Sequence, residues 1–568
     1  VREVDAAQPN RLRIRRPRPV ALAGAGLLAL VAVSASPAPS LAQGVPPGAI
    51  LPPLTPPPLP DTELSTRDRL FVREVRVVGS TVFSPAELAE VTTPYVNRVV
   101  SVEELEALRV ALTRLYVDRG YVNSGALLTD QVVGDGVVTY RIVEGRVSDV
   151  EIAGTWWFRP GYLRRRLARA ARPPLSVNAL QEQIQILLDD PRIRRLNAEL
   201  APGVRPGESI LKVAVEERQP FRLTLSVDNY QSPSQGAERG FVLLEDLNLT
   251  GNGDVLALSY GRSEGVEPML DFSYALPVNA WDTTLAFRYR RNTSSVITSE
   301  FAALGIDSDV EIFTLGVRQP VYRTPAMEVA VGLLGERLRQ ETTLLGEPFS
   351  PPGTGAVDGE SVATVLRASQ EWLWRTQNFV LAARSRFSVG IDALGSTIHS
   401  DGEPDSRFFA WLGQAQWVQR LPVRDSQLVV RADAQIADDA LLPVEQIAIG
   451  GRYSVRGYRE NTLVRDNAVL ASVELRVPVV RNMPWAEYLE LAPFYDYGRG
   501  WNAKGITPDP KDLSSVGIGL RWGLTIPWVV PVRPQFEIYW GHPLRKVPTP
   551  GGDIQDDGIH FQFLITGG

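Results

Sequence analysis

The chain has 568 residues, 44% hydrophobic and 22% charged, with a formal net charge of −6, no cysteine and three histidines. These ordinary globular fractions exclude wholesale disorder, and its 47 glycines and 44 prolines are scattered as turn formers, which excludes a collagen-like fibre. Without cysteine there are no disulfides, thiolate metal sites or cysteine nucleophiles, and three histidines leave little for zinc or triad chemistry. No cofactor, no metal and no enzymatic activity are therefore expected.

In chain order, Arg11, Arg13, Arg15, Arg16 and Arg18 precede an apolar stretch from Val20 to Val33, and Ser40, Leu41 and Ala42 stand before Gln43. The basic flank, the short apolar run and the small residues before the cut predict a secretory signal peptide over 1–42. Its removal would leave a net charge of −10, since those residues carry six arginines and two acids. An acidic exported protein is a poor nucleic-acid binder, so no nucleic-acid partner is expected. Eight prolines between Gln43 and Asp68 predict an extended linker over 43–68 that buries no core.

An internal repeat follows. Val75, Val77, Gly79, Phe83, Pro85 and Leu88 recur 75 positions later as Val150, Ile152, Gly154, Phe158, Pro160 and Leu163. The same offset relates Ser101, Val102, Leu105 and Leu112 to Ser176, Val177, Leu180 and Leu187. One register through strand, turn and helix predicts two copies of a small α+β domain, over 69–145 and 146–219. Ser84-Pro85-Ala86-Glu87 and Ser101-Val102-Glu103-Glu104 are capping boxes that open two helices, the second with Leu105, Leu108, Leu112 and Leu115 on one face. Strand, helix, helix, strand, strand is the expected order in each copy. Such a sheet has open edges able to take an unfolded peptide as an extra strand, although spacer or assembly roles fit the same pattern. The run Arg164, Arg165, Arg166, Arg169, Arg172 reads either as a surface for an acidic client or as a solvated helix face.

From Phe221 helical periodicity gives way to alternating segments of about ten residues. Val469, Ala471, Val473, Leu475 and Val477 alternate with Leu470, Ser472, Glu474 and Arg476, and Val516, Ile518, Leu520, Trp522 and Leu524 alternate with Gly517, Gly519, Arg521 and Gly523. Charge keeps to one face. Segment starts near 221, 240, 255, 267, 281, 308, 327, 360, 378, 408, 426, 467, 488, 513, 532 and 558 predict a transmembrane β-barrel of 16 antiparallel strands over 220–568. Short turns alternate with long loops, among them 439–466, as outer-membrane barrels require.

Arg119-Gly120-Tyr121-Val122, Val143-Glu144-Gly145, the loop motif Val455-Arg456-Gly457-Tyr458 and the strand motif Phe494-Tyr495-Asp496-Tyr497-Gly498 complete this pattern. Together they resemble the two-partner secretion transporters of the haemolysin and filamentous-haemagglutinin secretion family, relatives of the outer-membrane insertases. The resemblance implies that the two small domains are POTRA domains in the periplasm and that the barrel lies in a Gram-negative outer membrane. It implies transport of an unfolded secreted exoprotein, adhesin or haemolysin-like, with membrane lipid and the barrel-assembly machinery as further partners. Client-binding candidates are Arg119, Gly120, Tyr121, Arg164, Arg165 and Arg166. Val455, Arg456, Gly457 and Tyr458 form the expected loop gate, and Phe494, Asp496 and Gly498 its partner motif in the wall. Alternation supports the pairing independently: Leu489, Leu491, Tyr495 and Tyr497 share one face, which turns Glu490, Phe494 and Asp496 inward, where a carboxylate needs a partner such as Arg456. An insertase that assembles other barrels is the alternative; it commonly has more domains than the two repeats here. A simple diffusion porin leaves the repeats without a role.

Two departures from the family and two decoys remain. The proline-rich linker disfavours the amino-terminal plug helix many family members carry. The final strand ends Thr566-Gly567-Gly568 without the usual terminal aromatic, which leaves Phe561 or Phe563 for assembly recognition. Gly261-Arg262-Ser263-Glu264-Gly265 matches a hydrolase nucleophile pattern but is followed by another alternating segment, which predicts a hairpin instead. No phosphate-binding loop motif occurs, so nucleotide hydrolysis is not expected to drive transport.

Overall fold

A computed structural model describes residues 69–568 except 132, 134, 300 and 550. The expected signal peptide and proline-rich linker lie outside the described residues.

In the first module, strands Arg69–Val72 and Arg98–Ser101 pair antiparallel, and a separate sheet is ordered Glu74–Val78, Val137–Val143, Gly125–Leu128. Helix α1 (Pro85–Thr92) opens at Ser84, whose N–H donates to Glu87 at 2.9 Å, and α2 (Val102–Asp118) opens likewise at Ser101, whose N–H donates to Glu104 at 2.8 Å. Both capping boxes thus satisfy donors the first turn leaves unpaired. The buried face of α2 is Leu105, Leu108, Leu112 and Tyr116. Leu115, expected on that face, is only partly buried because the Tyr116 ring takes the place, its edge against Phe83. The strand Arg98–Ser101 was not expected; four residues are too few to show alternation.

The second module repeats the plan with strands Arg146–Ala153, Glu208–Glu217 and Ile193–Pro202 backed by α3 (Pro160–Ala170) and α4 (Val177–Leu188). A matching carboxylate device fastens the loop before the first helix of each module. Glu144 accepts the N–H groups of Thr81 at 2.6 Å and Val82 at 3.2 Å, and Glu217 accepts those of Trp156, Trp157 and Phe158 at 2.9, 2.5 and 2.9 Å. The modules abut. Val177 donates to the Gly120 carbonyl at 2.9 Å and Leu175 to that of Gly145 at 2.7 Å. Gly120 has φ +88° and lies so near Asn178 that a Cβ would stand 2.9 Å from its amide nitrogen, so both backbone and space demand glycine.

Beyond the modules, sixteen antiparallel strands close into a barrel. The first, Phe221–Asp228, pairs with the last, Ile559–Gly567, from Gln562 opposite Asp228 to Gly567 opposite Leu223. Closure leaves no free edge, which lets a sheet stand in lipid. The widest departure from the expected starts is the fifth strand, expected near 281 and found from Thr284. Asn279 and Thr283 delay it by closing a turn, their side chains joined at 2.7 Å. Val469, Val473, Leu491 and Tyr495 point outward and are exposed, whereas Glu474, Arg476, Glu490 and Asp496 are buried inside. Ser263 of the hydrolase-like motif ends the strand Val255–Ser263 in a tight hairpin, its hydroxyl on the Gln235 carbonyl at 2.8 Å.

The second module is fastened to the turns at the barrel end where the chain enters it, here the module end. Arg159 donates its N–H to the Gly251 carbonyl at 2.9 Å, and Arg192 reaches the Leu247 carbonyl at 2.6 Å. Arg166 donates to Asp282 at 2.9 Å through Nε while stacking on the Tyr162 ring, and Arg323 from the barrel meets the same carboxylate at 2.8 Å.

Candidate functional site: the loop folded into the barrel

The connection between strands Gln427–Ala437 and Asn467–Met483 turns back into the lumen at the opposite, loop end. It carries its own antiparallel hairpin, Ile447–Ile449 with Leu463–Arg465, which presents Val455 to Tyr458 to the inner wall. Val455 is fully buried with Ile449, Leu463, Leu470 and Leu513. Gly498 makes that approach possible, since a Cβ there would lie 2.8 Å from Val455 Cγ2 and 2.7 Å from Ile449 Cγ2. Any side chain at 498 would push the hairpin off the wall.

Arg456 lies at the centre. Its Nε and Nη2 donate to the two oxygens of Asp496 at 2.7 and 2.8 Å, and its backbone N–H adds a third bond at 3.0 Å. Nη1 donates to Glu474, Nη2 also reaches Ser472 at 3.1 Å, and the guanidinium lies 3.6 Å from the centroid of the Phe494 ring. The register explains the convergence, because Ser472 stands opposite Asp496 and Glu474 opposite Phe494 on neighbouring strands. A fork with five donors thus meets two carboxylates and a hydroxyl in a buried pocket, where the charged groups satisfy one another.

Further contacts hold the loop on three sides. Tyr458 is buried, its hydroxyl 2.8 Å from the Arg545 carbonyl and 3.0 Å from that of Ser514. Gly457, at φ +89°, presses its backbone on Gly541. Arg452 donates to Glu537 at 2.8 Å and Arg459 to Asp556 at 2.6 Å. Glu445, near the start of the loop, takes two bonds at 2.6 and 3.0 Å from Arg367 of the strand Glu360–Arg375.

The structure therefore brings Val455, Arg456, Gly457, Tyr458, Phe494, Asp496 and Gly498 together. It separates the module residues. Arg119 is exposed and pairs loosely with Glu87 at 3.5 Å, Gly120 lies in the joint between modules, and Tyr121 packs beside Tyr116. Arg164 and Arg165 are exposed, whereas Arg166 is buried against Asp282, where it fastens the module to the barrel. Sequence reasoning did not single out Glu474, Arg452, Glu537, Glu445 or Arg367. Glu474 was readable on the inward face of its strand, yet alternation gives no partner for a side chain facing a lumen.

A closed sixteen-strand barrel, two small α+β modules at one end and a loop tied inside it define the class: a transport barrel of the POTRA-containing kind. Residues 207–522 match the family model described as haemolysin secretion/activation protein ShlB/FhaC/HecB, and residues 70–145 match the ShlB-type POTRA domain. The chain belongs to that family of outer-membrane transporters. It is 25% identical to the outer membrane transporter CdiB of Dickeya dadantii (strain 3937), over 81% of this chain and 84% of that protein. It is 22% identical to the heme/hemopexin transporter protein HuxB of Haemophilus influenzae (strain 86-028NP), over 77% and 78%. The solved structure of CdiB from Escherichia coli has a similar fold, with TM-score 0.65, 21% identity and coverage of 90% of this chain and 93% of that one.

Proposed function

We propose that this transporter receives an unfolded, secreted partner exoprotein on its POTRA modules in the periplasm and passes it through the barrel lumen to the cell surface without hydrolysing nucleotide. The observation that carries this reading is the loop held inside the lumen by Arg456: a barrel whose path is occupied by its own detachable segment is built to be opened. The relatives support the class of cargo, since their names make them heme/hemopexin and hemolysin transporter proteins. The modules supply capture. Strands Glu74–Val78 and Gly125–Leu128 are the outer strands of the first sheet, and Arg146–Ala153 and Ile193–Pro202 those of the second, able to bond an extended client through its backbone. Folding of the client once outside supplies direction.

The gate is the Arg456, Asp496 and Glu474 cluster. Releasing it frees the hairpin while the barrel, whose ladder does not include the loop, stays closed. Planar-bilayer conductance of the purified chain tests pore and recognition together, with and without the amino-terminal fragment of an exoprotein encoded beside it. Fragment-dependent channel opening is expected. A barrel whose conductance ignores the fragment, and modules that do not bind it, would end the proposal.

A further inference from the structure

We infer that the module end of the barrel seam is a phospholipid site, one acyl chain lying in a recess that runs from the last strand across the first to the second and third, with the glycerol region level with Trp156 and Trp157. The recess has a volume of about 470 Å³ and is lined by Phe221, Leu223, Leu244, Leu258, Val530 and Gly567, among others. Its origin is legible in the last strand. Phe561, Phe563, Ile565 and Gly567 share the outward parity, so the row of side chains that faces lipid stops at Gly567. Gly567 stands between Leu223 on one neighbour and Val532 on the other, and among the described residues nothing lies within 4 Å of the place its Cβ would occupy. A slot opens in an apolar wall where the strand would otherwise project a side chain.

Two exposed apolar tips flank the slot. On one side the second module offers Trp156, 85% exposed, on a loop that has no freedom to withdraw it: the Glu217 carboxylate holds three successive N–H groups there. Trp157 beside it meets Phe221 edge to face at 5.4 Å, and Arg159 ties the loop to the first barrel turn. On the other side the turn between the fourteenth strand, Asp512–Gly523, and the fifteenth, Val532–Pro543, carries Trp528, Val529 and Val530, with Val529 fully exposed. Exposed indoles and valines on both sides of one slot mark a surface that something covers. Phe221, Leu223 and Leu244 of the slot belong to the barrel's outward apolar surface, which lipid already covers, so the occupant continuous with them is the same lipid. Indole suits this level, since its ring enters the acyl boundary while its N–H reaches the headgroups. The second module is thereby seated on the membrane as well as on the barrel turns.

The test uses the full chain in phosphatidylethanolamine vesicles. With brominated phosphatidylethanolamine, the fluorescence lost in Trp156→Phe relative to the wild type should be the lipid-quenched component, shielded from aqueous iodide. Iodide quenching of that component with no effect of brominated lipid would overturn the seat. Native mass spectrometry after mild detergent release should show one retained phospholipid in the wild type and at least a several-fold loss in Gly567→Leu and in Val530→Glu, each still heat-modifiable on a gel. Val530→Glu lies in a turn outside the strands and keeps the test open should Gly567→Leu fail to assemble. Equal lipid retention in the wild type and a folded variant would overturn the slot, as would a retained peptide or second copy of the chain in place of lipid.

Discussion

Gly457 at the loop tip and Gly541 on the fifteenth barrel strand meet backbone to backbone: a Cβ on Gly541 would stand 2.7 Å from the Gly457 nitrogen, and one on Gly457 2.8 Å from the Gly541 carbonyl. Neither chain can back away, since the strand is fixed by its ladder and the tip by Arg456. Gly541→Ala should therefore lift the tip without disturbing the barrel, raising the frequency of large conductance steps in planar bilayers severalfold. The heat-dependent mobility shift of the barrel should remain. Unchanged conductance would show that the seat tolerates a methyl group.

Breaking the ion pair below that contact should act more strongly. Arg456→Ala leaves Asp496 buried without its cation, while Glu474 keeps Arg476 at 2.7 Å, a loss of about 3–5 kcal/mol for a buried pair stripped of one partner. Secretion of the client should fall at least tenfold while the protein still assembles. Asp496→Ala should do nearly the same, and the double variant should cost little more than either, because both remove one interaction. Additive losses in secretion would place the two residues in separate roles.

The pairing that these variants probe was readable in part. Alternation along Leu491, Tyr495 and their neighbours turned Asp496 inward, because a strand's side-chain period leaves no choice once one face is apolar. The partner came from the resemblance of two motifs, since a loop position has no periodicity to orient it. Arg166 shows the opposite case. Its place among Arg164, Arg165, Arg169 and Arg172 suggested a solvent-facing run, yet Tyr162, Leu163 and Leu167 mark the buried face of the same helix and Arg166 lies one turn from Tyr162. That spacing was present in the sequence; what was missing was Asp282, a turn residue 116 positions away.

The module joint follows from that pair. Arg166→Ala removes the cation that Asp282 holds together with Arg323, while the neighbouring hydrogen bonds from Arg159 and Arg192 remain. The second module should loosen but stay folded, exposing the segment around Arg218 to Pro220 to limited proteolysis. Client secretion should drop several-fold. Asp282→Ala should reproduce the cleavage pattern, whereas Arg165→Ala, on the exposed face of α3, should not.

Glu460 ties the loop to pH. It lies on the inward-folded loop, accepts the Arg452 N–H at 2.6 Å, and faces Arg239 and Asp228 with the buried ring of His560 at 3.8 Å. Burial pushes its carboxyl up to about 7, more than the nearby arginines and the Arg452 bond pull it down. In the released loop, open to water, the same carboxyl returns to its ordinary value near 4.5. A group whose value is raised in the seated state favours that state in full below the released value and loses the contribution as pH rises through the raised one. The seat is thus tightest in acid and weakens across pH 5 to about 7 and just above. Channel openings in planar bilayers should become more frequent from pH 5 to pH 8, and Glu460→Gln, neutral throughout, should flatten that dependence. A profile equally steep in Glu460→Gln would assign the titration to another group.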